Sequence, residues 1–245
     1  MLRLGGLVSS GNMQVTLERH RCGDAIDPFD IPRDFGQGSV DVYFSADIET
    51  DGPIPGPFSI LSFALVFAGL YDGRSFLRPK NYRCALYKEL KPISDEFEIE
   101  ALRVNGLDRN RLLRDGQSPE AAMTEASHWV RELAGNGRPV LVAYPVSFDW
   151  SFLYWYFMRF STAGSPFDHS RCFDLKTAFA VKAHIPIADA GRSKLTPGLR
   201  PEGAHTHNAL DDAIEQAEIF ANIFEWKGKN GGATRSETHR RRAAD

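Results

Sequence analysis

Five residues of this chain have the type and spacing to do chemistry together: Asp47, Glu49, Asp149, His207 and Asp212. Asp47 and Glu49 stand two apart near the end of residues 42–52, a run rich enough in β-formers to predict a strand. On a strand, residues i and i+2 share a face, so both carboxylates can meet one point in space. Two anions held together repel each other and resist desolvation, and a divalent cation relieves both costs. Mg²⁺ and Mn²⁺ are hard ions that take such oxygen ligands. The same stretch also reads as a solvated strand end running into the Asp51-Gly52 turn. Asp149 follows the apolar run Pro139–Tyr144 where a helix begins, and offers either a further carboxylate or a helix N-cap. His207 and Asp212 lie five positions apart at the start of the last helix. Aspartate is unfavourable inside a helix, and more so beside Asp211, although both acids also fit a first turn that complements the helix dipole.

The elements that must position these groups follow from periodicity and breakers. After the first strand, the apolar run Phe58–Gly69 predicts a buried strand, and Tyr71–Pro79 predicts an antiparallel return. Helical spacing then runs from Ser94 to Gly135. Asn105-Gly106 closes a first helix, and Ser118-Pro119 opens a second with an N-cap and a proline at the first position. Pro139–Tyr144 is a short strand, Asp149–Phe160 an aromatic-rich helix, and Phe173–Lys182 a further helix. Gly191–Gly203 is a basic, breaker-rich loop before the long helix Asn208–Trp226. This order predicts a single α/β domain, a mixed sheet flanked by helices, over residues 39–226. Residues 1–38, dense in glycine and proline, are expected to be a flexible leader, with Met13 an alternative start. Residues 227–245, with Arg240-Arg241-Arg242, are expected to be a disordered tail.

A formal net charge of −3 gives no global attraction to nucleic acid, so a nucleic-acid enzyme of this composition needs a local site. Cys22, Cys84 and Cys172 are widely spaced with no CxxC pair, which argues against a structural zinc site or a disulfide framework and fits a reducing, cytoplasmic setting. No apolar run reaches the roughly 18–20 residues of a membrane span, so no membrane partner is expected.

Asp-Ile-Glu-Thr-Asp-Gly at 47–52, Ser147-Phe148-Asp149, and His207 followed by Ala209 and Asp212 resemble, in order and spacing, the motifs of the DEDDh exonucleases. These form the DnaQ-like group of the ribonuclease H-like superfamily. The resemblance spans Val40–Phe224, and Val104–Leu107 with Gly116–Pro119 resemble the family's middle segment. It implies a ribonuclease H-like sheet and a 3′→5′ exonuclease acting on single-stranded DNA or RNA ends. By the same resemblance, Asp47, Glu49, Asp149 and Asp212 hold two Mg²⁺ or Mn²⁺ ions that activate a water and stabilise the leaving 3′ oxygen. His207 is then the general base. Family spacing selects Asp212 over Asp211, and His207 over His205.

Substrate contacts are expected from the Thr50, Asp51 and Gly52 backbone to the terminal ribose, and from Phe148 to a base. Trp150, Trp155 and Tyr156 read as stacking residues or as helix core, and Arg192, Lys194 and Arg200 as a phosphate track or as solvated charges. Two departures from the family pattern fall beside the terminal nucleotide. Asp51 adds an acid next to the first pair, and Tyr144-Pro145-Val146 stands where relatives often carry Asn. A homodimer, a polymerase or repair partner, a proofreading or nucleic-acid-binding module, and a small-molecule phosphodiesterase on the same fold stay open.

Overall fold

The protein was described from a computed structural model covering residues 40–203 and 205–229. The readings of the leader and of Gly231–Asp245 fall outside these residues. Asp41–Thr50 forms strand β1, which pairs antiparallel with β2 (Ile60–Tyr71) and parallel with β5 (Arg138–Ala143). Beyond β5 lies β6 (Cys172–Asp174), also parallel, and on the other side of β2 lie β3 (Phe76–Leu77) and β4 (Ala85–Glu89). The sheet order β3-β2-β1-β5-β6, with β4 on β2, is the mixed sheet expected.

Helices cover both faces, so β1 is buried on both sides and reads as a near-continuous apolar run. Val42, Phe44, Ala46 and Ile48 point to one face. There they meet Trp129 of α3 (Pro119–Ala134) and Phe152 and Phe157 of α4 (Val146–Phe160) in one apolar cluster. Tyr43 points to the opposite face, where it packs against Phe220 of α6 (Ala209–Glu225), joined there by Phe179 of α5 (Leu175–Ala183). By the same alternation Asp47 and Glu49 face the α6 side. The strand thus delivers its acids to the helix that carries Asp212.

Two short helices, α1 (Ile99–Asn105) and α2 (Arg109–Asp115), complete the set. Gly106 closes α1 in the left-handed conformation that glycine adopts without strain, at φ 68°. Ser118 caps α3 by accepting from the Ala121 amide, with Pro119 at the first position, as its sequence predicts.

Three elements differ from expectation. Only Phe76–Leu77 of the predicted third strand pairs, and the edge of β2 is mainly covered by β4, which periodicity did not mark. The charged α2, Arg-Asn-Arg-Leu-Leu-Arg-Asp, was likewise unmarked because Leu112 is its one buried apolar side chain. Residues 172–174 extend the sheet before α5 begins, so Phe173 is a strand residue and not a helical one. Cys84 is buried, while Cys172 is an exposed free thiol. Among the described residues no helix is long and apolar enough to cross a membrane.

Candidate active site

The end of β1, the first turn of α4 and the first two turns of α6 meet around one cleft of ≈ 280 Å³. Asp47 and Glu49 reach it from β1, Asp149 from α4, and His207 and Asp212 from the start of α6. Asp149 is not a helix cap. The helix begins three residues earlier, and Asp174 of β6 accepts the Val146 amide at 2.7 Å. Asp149 is thereby left in the first turn with its carboxyl directed into the cleft, where it also accepts from the Ile48 amide. On α6, Asn208 takes the capping role, accepting from the Leu210 and Asp211 amides. Asp212, Glu215 and Gln216, spaced i, i+3 and i+4, share the buried face, whereas Asp211 is exposed. Gln216 Nε2 donates to Asp47 Oδ1 at 2.6 Å, tying the helix to the strand acid.

The segment before α6 is anchored on Asp212. Its Oδ1 accepts from the Thr206 amide at 2.9 Å and its Oδ2 from the His207 amide at 3.0 Å. His207 itself turns through left-handed backbone, φ 57°, and its ring is exposed at the cleft lip. Arg192, from the short turn Arg192–Lys194, enters the same cleft. Its guanidinium lies 3.1 Å from Glu215 Oε2, 2.6 Å from His205 Nδ1 and 3.3 Å from the Tyr144 carbonyl, with the Tyr144 ring beneath it.

Electrostatics show what this crowding costs. Burial, followed by the charges of Asp149, Glu49 and Asp212, drives Asp47 well above the usual carboxylate range. Burial, then Asp212 and Asp149, lifts Glu49 from 4.5 to about 8. Burial raises Asp149 to about 7 despite two backbone amides and Arg192, which favour its anion. Ligand atoms of Asp47, Glu49 and Asp212 lie within 4.8 Å of one another. An all-oxygen donor set that resists full ionisation on its own fits a divalent cation.

Comparison with known proteins decides the family. No family model matches the chain. A 3′-5′ DNA exonuclease, Cap18, of Escherichia coli is 33% identical over 181 residues, covering 74% of this chain and 90% of that protein. The chain belongs to the DEDDh, DnaQ-like 3′-5′ exonuclease family. Ribonuclease T of Shewanella denitrificans is 27% identical over 76% of this chain and 81% of that protein. The fold matches the nuclease domain of 3′hExo, a DEDDh family member bound to rAMP, with a TM-score of 0.55 at 14% identity, over 77% of this chain and 93% of that one. A 3′-exonuclease solved on a histone mRNA stem-loop matches with the same TM-score at 12% identity, and this chain spans 64% of its length. The exonuclease thus has the ribonuclease H-like fold that its motifs imply.

Of the residues expected to meet substrate, Phe148 lines the cleft and is 41% exposed. Thr50 ends β1, and Asp51 and Gly52 follow it in the next bend. Asp51 is fully buried and forms an ion pair with Arg109 Nε at 3.0 Å. Its amide donates to Ser59 O and its carboxylate accepts the Ser59 amide, so this backbone is committed to the protein. Thr50 Oγ1 donates to the Gly52 carbonyl, and a Cβ on Gly52 would sit 2.1 Å from the Phe58 ring.

Tyr156 is core, as its alternative reading had it, with its hydroxyl accepting the Ile60 amide at 2.8 Å. Trp150 stacks on Tyr154 with ring centroids 4.9 Å apart. Sequence reasoning missed Gln216 and Glu215, whose helical spacing from Asp212 was the available signal. Arg192, read as part of a phosphate track or as a solvated charge, lies in the cleft.

Proposed function

We propose that this exonuclease releases mononucleotides from the 3′ end of single-stranded DNA, using Asp47, Glu49, Asp149 and Asp212 as ligands of two divalent cations, Mg²⁺ or Mn²⁺. The domain responsible is residues 39–226. When bound, the cations supply the charge that activates a water and stabilises the leaving 3′ oxygen. The observation that carries the reading is the convergence of four carboxylates from three elements on one cleft.

The side chains divide the work. Gln216 holds the Asp47 carboxylate at one orientation, so that strand and helix present their acids together. His207, at the solvent lip, takes the proton from the attacking water, the general-base work for which an imidazole is most often used. The half-exposed Phe148 ring stacks on the terminal base. Arg192, held by Glu215, faces the phosphate as the cationic arginine of the lining. DNA is favoured over RNA because the 33% identical relative is a DNA exonuclease, whereas the 27% identical one is named a ribonuclease.

The test is a 5′-labelled single strand, as DNA and as RNA, incubated with Mn²⁺ or Mg²⁺, with EDTA, and with Asp47→Ala and His207→Ala proteins. One-nucleotide shortening from the 3′ end of DNA, lost in EDTA and in Asp47→Ala, is expected. His207→Ala should lose about 10²–10⁴-fold in rate, the span of general-base catalysis. Equal rates on RNA overturn the DNA preference. An undiminished rate for His207→Ala overturns the assignment of the base.

A further inference from the structure

Towards the solvent lip of the cleft, a second cluster shares His207 and Asp212 with the proposed hydrolytic machinery and adds His205. His205, His207 and Asp212 each offer one ligand atom, and these atoms lie within 4.8 Å of one another. The two imidazoles meet edge to face, with centroids 4.5 Å apart and planes at 68°. We propose that these residues form a transition-ion site selective for Zn²⁺, sharing Asp212 with the all-oxygen cluster, and that filling it switches the exonuclease off.

The donor chemistry sets the ion. Two imidazole nitrogens and one carboxylate are ligands for Zn²⁺, whereas Mg²⁺ prefers oxygen throughout. Three protein ligands leave a fourth position open for water, as in open zinc sites.

The geometry is already close to what such an ion needs. His205 Nδ1 lies 2.9 Å from Asp212 Oδ1. Two ligands on a tetrahedral zinc at about 2.0–2.1 Å stand about 3.3 Å apart, so a few tenths of an ångström of opening admits the ion. Asp212 is 1% exposed and pinned through both oxygens by the Thr206 and His207 amides, which makes it a fixed anchor. Those same bonds hold His207 in its left-handed turn, a conformation non-glycine residues rarely adopt, beside His205.

One group competes for the site. Arg192 Nη1 lies 2.6 Å from His205 Nδ1, and an incoming cation must displace it. It can leave that nitrogen without being stranded, because Glu215 Oε2 and the Tyr144 carbonyl already bind it.

The inhibitory part rests on the proposed roles of His207 as general base and Asp212 as cation ligand, since zinc held by them blocks proton transfer from water and draws Asp212 away from the catalytic ions. Binding alone does not depend on that reading. Zn²⁺ titration by calorimetry in excess Mg²⁺, with Co²⁺ visible absorption as a second readout, separates the two. Wild type is expected to bind one Zn²⁺ that Mg²⁺ does not displace, and His205→Ala to weaken it at least about tenfold. Melting curves establish that the variant is folded, which the exposed position of His205 favours.

Measured against each protein's own zinc-free rate, the Zn²⁺ inhibition midpoint should rise at least about tenfold in His205→Ala. Equal Zn²⁺ affinity in both proteins, or full displacement by Mg²⁺, overturns the site. Zn²⁺ binding that depends on His205 yet leaves turnover intact upholds the site and overturns the proposed catalytic roles of His207 and Asp212.

Discussion

Gln216 shows how a residue can matter to a metal site without offering a ligand. Its amide nitrogen reaches Asp47 Oδ1 at 2.6 Å in a fully buried setting, and its other end, Oε1, has no hydrogen-bond partner. Holding a ligand in orientation is worth about 10–100-fold in metal affinity. Gln216→Leu, which keeps the bulk and removes the donor, should weaken Mn²⁺ binding by that factor in calorimetry while leaving the melting temperature of the metal-free protein close to wild type.

The acids around Gln216 predict a pH dependence of stability. Glu49, near 8, and Asp149, near 7, lie above their ordinary values because burial disfavours both anions, with the charges of Asp212 and Asp149 adding to it at Glu49. A raised carboxyl pKa means that the folded state binds protons more tightly than the unfolded one. Its stabilisation is present below the unfolded pKa and is lost as pH rises through the folded value. In EDTA the melting temperature should therefore fall between about pH 5 and about pH 9, and saturating Mn²⁺ should restore it at the upper end. A flat profile in EDTA would remove the electrostatic account of the cluster. The carboxylates were legible in sequence through their spacing. Gln216 was not, because a helical glutamine shows its role only when the strand opposite it is placed.

At the scale of elements, the turn after β1 is a clasp. Asp51, fully buried, accepts from the Ser59 amide and from Arg109 of α2, whose guanidinium also donates to the Ser94 carbonyl. The Asp51 carbonyl accepts the Glu98 amide, and Asn105 at the end of α1 donates to the Thr50 carbonyl at 3.0 Å. The end of the catalytic strand is thereby fastened to α1 and α2. Removing one partner of a buried ion pair costs about 3–5 kcal/mol, or about 2–4 °C of melting temperature per kcal/mol in a chain of this size. Arg109→Leu should lower the melting temperature accordingly, and Asp51→Asn added to it should recover part of the loss. A single variant that melts as wild type does would show the pair to be inert.

The clasp was hidden for a definite reason. Spacing along β1 relates Asp51 to Asp47 and Glu49, but the strand ends at Thr50 and Asp51 turns to the Ser59 amide and Arg109 instead. β4 and β6 were hidden differently. They are short, and strands of five and three residues owe their existence to distant partners on β2 and β5 rather than to local pattern. The helices with strong local signals, α3 with its Ser-Pro start and α6 with its Asn cap, lie where periodicity placed them.

For the whole molecule, charge poses the remaining problem, since a protein of formal charge −3 whose cleft gathers four carboxylates must accept a polyanion. Arg192 is held there by Glu215, so its charge is partly spent within the protein. Metal ions must then serve as the main phosphate receptors, and binding should be gated by them before any chemistry occurs. Fluorescence anisotropy of a labelled single-stranded DNA on the His207→Ala protein isolates this step, because the strand is shortened about 10²–10⁴-fold more slowly. Affinity in Mg²⁺ should exceed that in EDTA by at least about tenfold, a difference of about 1.4 kcal/mol. The salt dependence should be shallow, since a site that grips two or three terminal phosphates gives a slope near −0.7 for each on single strands. A steep slope, or equal affinity in EDTA, would mean that a basic surface outside the cleft carries the polymer and that the metals serve hydrolysis alone.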